Sequence, residues 1–536
     1  MSANQTFLLK KFHKEWFQYS EWWFQKEDQS YVDKYLSDTY YDLLDTATLL
    51  IPPVLNDHIS LLIVYDQLPR HIFRNQPCNH VIYYFLSKAL DIFNFLVNND
   101  YLQYIHGEEL CFVLLSLRHS NIPENIYIAL DIVWDRIRDE DPKYIKIYQR
   151  FLKATYERCS IICGHLQQPT HFPSSSLHLN TSILEYYGHL QLYCEEDIGV
   201  IKTFAREIKK YQKEVPKIII SLSGGVDSMV CSYIAANMLG VDRCIFLHIN
   251  YNNRDTSDEE ETFVRYWCNL LGVPLYLRKF TEINRPLCMK YEMREMYETY
   301  TRNVRYACYR DVGPYPVILG HNKDDCFENI LTNMTKCTKY ENLLGMDSVS
   351  KKDNVVFLRP FLTVSKAELI EYAKKQGISY LYDSTPKWSQ RGKIRDKIVP
   401  VITNWDTLCL EGFFEMAKRM TEMNNIVDYH VDILLQNLEI NTYTSNPMLS
   451  PQHQPINTFT TYIFSIKQIP KSLDIWRKIF TKLSLAQPTT KSLNAFLSRL
   501  YHEQSSKNDL KAHLSKNLSI YITTRETNNV RILQVS

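Results

Sequence analysis

At about 150 residues per domain, a chain of 536 residues is expected to fold as three or four units rather than around one core. Hydrophobic residues at 45% and charged residues at 23% are globular proportions, and no apolar run approaches the ~20 residues of a membrane-crossing helix. A net charge of +1 excludes a global field for nucleic acid, so any such partner needs local basic patches.

Residues 1–11 lack the charged, apolar, then small-residue layout of a secretory signal, so a reducing, cytoplasmic setting with free thiols is expected. The cysteines agree: the closest pair, Cys159 and Cys163, is four apart, and no Cys-x-x-Cys occurs, which argues against a zinc ribbon.

Along residues 1–165 apolar residues recur at three- and four-residue steps, as in 32–50 and 81–97, and predict an all-α domain. Trp22, Trp23 and Phe24 read as its core, and Asp66, Arg70 and Arg74 as either a binding site or structural ion pairs, with Pro69 interrupting the helix between them. Residues 166–197, rich in Pro and Ser near 169–176, read as a linker. From 198 to 405 strand and helix signals alternate. A helix near 198–212 leads to a β-branched strand at 217–222, a helix at 229–239 closed by Gly240, and a strand at 244–250. A strand at 315–319 precedes a helix near 322–334, and Ser365 with Glu368 forms a capping box on a helix that Gly377 stops. This rhythm predicts an α/β, Rossmann-like parallel sheet covered by helices on both faces. Residues 406–536 read as mainly helical, with one strand pair near 518–523 and 530–535.

Between the strand at 217–222 and the following helix lies Ser223-Gly224-Gly225-Val226-Asp227-Ser228. Such a turn gathers backbone N–H groups at the positive end of a helix dipole and makes an anion site. Adjacent glycines let the backbone approach a pyrophosphate, the serines can donate to it, and Asp227 is placed to hold Mg2+. The motif matches neither Gly-x-x-x-x-Gly-Lys-Ser/Thr nor Gly-x-Gly-x-x-Gly, which argues against an ordinary P-loop or dinucleotide site. His321, Asp325 and Glu328 recur at four- and three-residue steps and so share a helix face at the carboxyl end of a strand, where ligands of open α/β sheets bind. Their carboxylates suit Mg2+ binding or proton acceptance.

Together these segments resemble the PP-loop N-type ATP pyrophosphatases, and within them the tRNA(Ile)-lysidine synthetase family. The likeness is carried by SLSGGVDS at 221–228, HINYNNR at 248–254, TRNVRY at 301–306, GHNKDDCFEN at 320–329, the run at 359–384, and RGKIRDKIVP at 391–400. It implies a ligase that uses ATP and Mg2+ to adenylate the C2 oxygen of the wobble cytidine in an isoleucine tRNA, after which free lysine displaces AMP. It further implies that Asp227, Asp325 and Glu328 act on Mg2+ and the amine, and that His321 with Arg302 or Arg305 acts on phosphate. Lys387, Arg391, Lys393 and Arg395 would contact nucleotide or tRNA, and residues 406–536 would form the tRNA-binding region. The sequence departs from that family at Tyr251-Asn252, Glu328-Asn329, Asp383-Ser384-Thr385-Pro386 and Arg391-Gly392. Rival readings are a thiolating tRNA enzyme, an amide-forming small-molecule ligase, and a non-catalytic binding module. The N-terminal region resembles an uncharacterised all-helical, repeat-like bacterial family with a similar Asp-Gln-Phe-Pro-Arg-Asn segment, which implies no activity.

Overall fold

The computed structural model describes residues 3–23, 30–45, 54–74, 79–139, 142–159, 166–167, 184–186, 198–336, 342–382, 390–444, 458–466, 472–503, 510–523 and 528–535. Phe24, Lys387, most of the expected linker and the departure at Asp383–Pro386 lie outside them. The chain forms two compact units, one of residues 1–326 and 347–392, the other of residues 327–346 and 393–536. The first of these cuts lies inside one helix, Lys323–Thr335. The expected division at residues 165, 197 and 405 therefore does not coincide with the compact units: the N-terminal helices share one unit with most of the α/β region.

In the first unit the N-terminal region contributes the helices Ala3–Gln18, Ser30–Tyr40, Leu55–Ile72, Asn79–Asn98, Gly107–His119, Pro123–Asp139 and Pro142–Cys159. Aromatic side chains fill their core: Phe12 stacks on Trp16 at 5.4 Å, and Trp22 meets Trp16 edge-on at 6.2 Å. Pro69 does not interrupt its helix. It lies inside the final turn of Leu55–Ile72, where the missing N–H removes only one backbone bond before the helix ends. Asp66, Arg70 and Arg74 are ion-paired. Buried Asp66 holds His119 at 2.9 Å and Arg70 at 3.4 Å, and Arg74 meets Asp33 at 3.3 Å.

The strands, numbered along the chain, are β1 (Leu184–Tyr186), β2 (Ile218–Leu222), β3 (Cys244–Asn250), β4 (Leu275–Lys279), β5 (Val317–Ile318), β6 (Val349–Lys352), β7 (Val355–Leu358) and β8 (Tyr380–Leu381). Six form a sheet in the order β4-β3-β2-β5-β7-β6, parallel except for the edge strand β6; β1 pairs separately with β8. Because strand side chains alternate, Ile219, Ile245, Leu247 and Val317 face one hydrophobic cluster, and Ile218, Ile220, Phe246 and Ile318 face another. The first cluster is continuous with the core of the N-terminal helices. The second packs under helices Ile198–Glu214, Val226–Leu239, Ser257–Leu271 and Lys366–Gln376.

The second unit contains the helices Val399–Trp405, Cys409–Leu434, Leu473–Lys482 and Thr490–Glu503. Its strands β9 (Glu439–Thr444), β10 (Thr458–Ile466), β11 (Leu510–Ser515), β12 (Leu518–Thr523) and β13 (Asn528–Val535) form an antiparallel sheet in the order β11-β12-β13-β10-β9. The expected pair at its end is present as β12 and β13, joined by three strands that helical periodicity did not suggest. Trp476, Phe480 and Phe496 pack with Ile520, Ile522, Val530 and Ile532 in its core. Among the described residues no helix is long and apolar enough to cross a membrane.

Candidate active site

Strand order reverses between β2 and β5, which makes the carboxyl ends of these two strands a topological switch point. From β2 the chain turns through Ser223, Gly224 and Gly225 into helix Val226–Leu239. Gly224 has φ +83°, and a Cβ there would lie 2.6 Å from Leu381 Cδ1, so only glycine fits. The Gly224 carbonyl accepts from the Leu381 amide at 2.9 Å, which ties the loop to β8. Within the loop the Ser223 amide donates to Ser228 Oγ at 3.1 Å, the Gly225 amide approaches Ser223 Oγ at 3.4 Å, and Ser228 Oγ donates to the Gly225 carbonyl at 2.9 Å. The serines thus hold the loop in shape without a ligand, and Val226 anchors it in the core.

From β5 the chain passes through Gly320 and His321 into helix Lys323–Thr335. Asn322, which the spacing argument overlooked, links the two loops. Its Nδ2 donates to Asp227 Oδ1 at 2.9 Å, its Oδ1 accepts from the Asp325 amide at 3.1 Å, and Asp325 Oδ2 accepts from the Asn322 amide at 3.1 Å. This is a reciprocal cap, and the signal for it was present as Asn three residues before Asp at a helix start. It ties Asp227 and Asp325 to one side chain. Asp324, one residue away, instead accepts from the Lys366 amide at 2.7 Å and serves the start of the next helix.

His321 is held neutral. Burial, together with the nearby charges of Arg359, Arg391 and Arg305, keeps its pKa down at about 4 against the pull of Asp325. A ring nitrogen, Nδ1, is buried without a hydrogen-bond partner among the described residues. Around this imidazole the unit gathers three guanidinium groups, an environment suited to a polyanion.

Beside the loop, a pocket of about 320 Å³ is lined by Ser223, His248, Asn250, Tyr251, Arg254 and Arg305, among others. Arg305 stays charged: burial works against it, but Tyr251, Tyr309 and Tyr306 outweigh that cost. Arg302, three residues earlier on helix Arg294–Val312, is exposed and contacts Thr299 at 3.3 Å; the pocket takes Arg305 of the two. Tyr309 on the same helix donates to Ser221 Oγ at 2.9 Å. Nδ1 of His248 lies 2.9 Å from the Leu222 carbonyl, which fixes it as the N–H, and burial lowers this imidazole's pKa.

Arg391 is exposed in the short helix Gln390–Lys393, and Lys393 is exposed beside it. Glu328 and Arg395 belong to the second unit, where the Arg395 guanidinium grips the nearly buried Glu328 carboxylate at 2.6 Å. Among the described residues no three His, Cys, Asp or Glu side chains converge as a metal centre. The eight describable cysteines are free, and burial pushes the thiols of Cys308 and Cys326 up to about 12.

Residues 200–402, which contain this strand-to-helix turn, match a family model described as PP-loop domain. Residues 11–170 match a second model, described as bacterial protein of unknown function (DUF924). The α/β region is similar to tRNA(Ile)-lysidine synthases. That of Malacoplasma penetrans is 25% identical over 38% of this chain and 66% of its own length, and that of Staphylococcus aureus 28% identical over 41% and 52%. The Thermotoga sp. RQ2 protein is 24% identical over 51% and 69%. The chain therefore spans about half to two thirds of the length of these curated relatives. Among solved structures, part of the chain is similar to a U34-tRNA thiolase from Methanococcus maripaludis, at 18% identity, 43% of this chain, 82% of that one and a TM-score of 0.34. An NH3-dependent NAD synthetase from Campylobacter jejuni aligns at 18% identity, over 42% and 95%, with a TM-score of 0.27.

Proposed function

We propose that this chain is an ATP-dependent tRNA-modifying ligase that converts the wobble cytidine of an isoleucine tRNA to lysidine. The observation that carries the reading is the coupled pair of loops, in which Asn322 holds the Asp227 carboxylate through its side-chain amide and the Asp325 carboxylate through its backbone amide, beside the glycine turn. The similarity to lysidine synthases over the α/β region supports the choice of reaction.

The backbone N–H groups of Gly224 and of residues 226–228 at the helix start receive the pyrophosphate end of ATP, with Arg305 countering its charge. The cytidine C2 carbonyl oxygen attacks the α-phosphorus, forming a C2–O–AMP bond while the α–β anhydride breaks and pyrophosphate departs. The lysine ε-amine then attacks C2, the C2–O bond breaks with its electron pair leaving on AMP, and the amine proton passes to a carboxylate. In this reading Asp325 takes that proton, and neutral His321 donates a hydrogen bond to phosphate rather than a full charge. Asp227 and Asp325 are the residues that would hold Mg2+. Two carboxylates held by one residue suit a cation that completes its shell with phosphate oxygens and water, and such an ion would neutralise the phosphates. Arg391, Lys393 and Lys387 would face tRNA phosphate, and residues 406–536 would supply further tRNA contacts. Cytoplasmic location belongs to the same proposal. Burial, which raises the Cys308 and Cys326 thiols, weighs against these two as the thiolate of a thiolation reaction.

The test is incubation with Mg-ATP, lysine and an unmodified tRNA pool, followed by nucleoside mass spectrometry for lysidine. AMP release with another nucleophile and no lysidine would overturn the lysine assignment. ATP–pyrophosphate exchange that survives Asp227→Ala would overturn the site.

A further inference from the structure

Within the first unit, helix Pro142–Cys159 faces the turn at 291–293 and helix Arg294–Val312 across a pocket of about 570 Å³. None of its lining residues belongs to the nucleotide pocket. Its floor is apolar and rigid. Tyr156 and Tyr300 are almost wholly buried with ring centroids 4.7 Å apart, and Tyr156 Oη donates to the Glu282 carbonyl at 2.6 Å. The walls are pinned too: Gln149 Nε2 donates to the Tyr291 carbonyl at 2.8 Å, and Tyr291 Oη donates to the Ile137 carbonyl at 3.1 Å.

One wall presents Lys146, Arg150 and Lys153, at successive steps of four and three residues and so on one helix face, with Glu157 one turn beyond Lys153 at its end. Glu292 and Glu295 stand on the opposite wall. All six are exposed, and none has an ion-pair or hydrogen-bond partner among the described residues. Opposite charges line one cavity without closing on each other, because the elements that carry them are fixed apart by the floor and the two pinning bonds. A solute that carries an anion at one end and a cation at the other satisfies both walls at once. A polyanion would meet the carboxylates, and a simple cation the lysines.

We propose that this pocket binds a compact zwitterion of the free amino-acid class. The carboxylate lies toward Lys146, Arg150 and Lys153, the ammonium toward Glu292 and Glu295, and the aliphatic stem rests on Tyr300 and Met296. The volume is within the range of small-molecule sites, which favour domain interfaces. Only the choice of L-lysine as first probe rests on the function proposed above.

The experiment is calorimetric titration of the full chain with L-lysine, L-norleucine and L-glutamate, repeated on Arg150→Ala and on the double variant Glu292→Gln/Glu295→Gln. These side chains are exposed, and an unchanged melting temperature confirms folding. The expected result is saturable binding of at least one of the three, weakened about tenfold or more in both variants. No saturable binding, or binding that the substitutions leave unchanged, overturns the proposal. The lysidine assay is read separately on the wild type. Lysidine formation with pocket-independent binding refutes only the pocket, and pocket-dependent binding without lysidine refutes only the reaction.

Discussion

Gly320→Ala is the sharpest test of how the two loops are fitted together. A Cβ at this position would lie 2.8 Å from the Asp227 carbonyl carbon, 2.9 Å from its oxygen and 2.9 Å from the Ser228 amide nitrogen. These are backbone atoms of the first helical turn after the phosphate loop, so no rotamer can yield. Carbon contacts rest at about 3.5–4.0 Å, and the loops must therefore part by roughly 0.6–1 Å. Overpacking of that kind costs about 1–3 kcal/mol, which for a domain of this size lowers the melting temperature by about 2–4 °C per kcal/mol. The same shift stretches the 2.9 Å bond from Asn322 to Asp227, so ATP–pyrophosphate exchange falls with a raised KM for ATP. Gly412→Ala is the control. Nothing lies within 4 Å of its added Cβ, and it sits inside helix Cys409–Leu434, where alanine gains about 0.5–1 kcal/mol. If Gly320→Ala melts with the wild type and keeps its exchange kinetics, the close approach of the loops is wrong.

Three further outcomes are expected. His321 takes up a proton at about pH 4 when folded and near its ordinary 6.5 when unfolded. Between those values the unfolded chain binds more protons, so the contribution is intact above pH 6.5 and falls by up to about 3 kcal/mol as the pH drops to 4; His321→Gln flattens this slope in pH-dependent denaturation. Arg395→Ala leaves the Glu328 carboxylate, at 2% exposure, without its guanidinium and destabilises the second unit by about 3–5 kcal/mol in denaturant melts, whereas Arg395→Ala combined with Glu328→Gln recovers part of the loss. Tyr156→Phe removes the bond to the Glu282 carbonyl and the acceptor for Trp134 Nε1 at 2.9 Å, at a cost of about 1–3 kcal/mol by thermal melting. An unchanged melting temperature would show that these bonds do not join the helical region to the α/β region.

Local chemistry made parts of this fold readable. The capping box of Ser365 and Glu368, the stop at Gly377 and the strand at 244–250 were plain because each signal lies within a few residues of its effect. The phosphate loop was legible for the same reason. Asn322 was not singled out, since its partner Asp227 is 95 residues away and pairing at that separation leaves no periodic trace. Arg302 and Arg305 were equivalent in sequence, and only packing distinguishes the exposed one from the one in the pocket. Strands β9 and β10 escaped notice although Thr, Tyr, Phe and Ile in 458–466 favour a strand, because no short hairpin turn joins them to mark the pairing of Thr444 with Thr458. Pro69 misled because a breaker within the last turn costs the helix little.

The rung between Gln167 and Leu277 gives the fused helical region a protective office. The Gln167 amide donates to the Leu277 carbonyl at 2.8 Å, and the Leu277 amide reaches back at 3.4 Å, on the outer side of β4. An uncovered edge strand is a template for intermolecular pairing. Here the segment that follows the N-terminal helices occupies part of that template, while the sheet's other margin ends in the short, lysine-bearing β6. Severing the chain between the two regions would uncover the rung and the apolar face beneath it together, and the liberated α/β fragment would tend to self-associate.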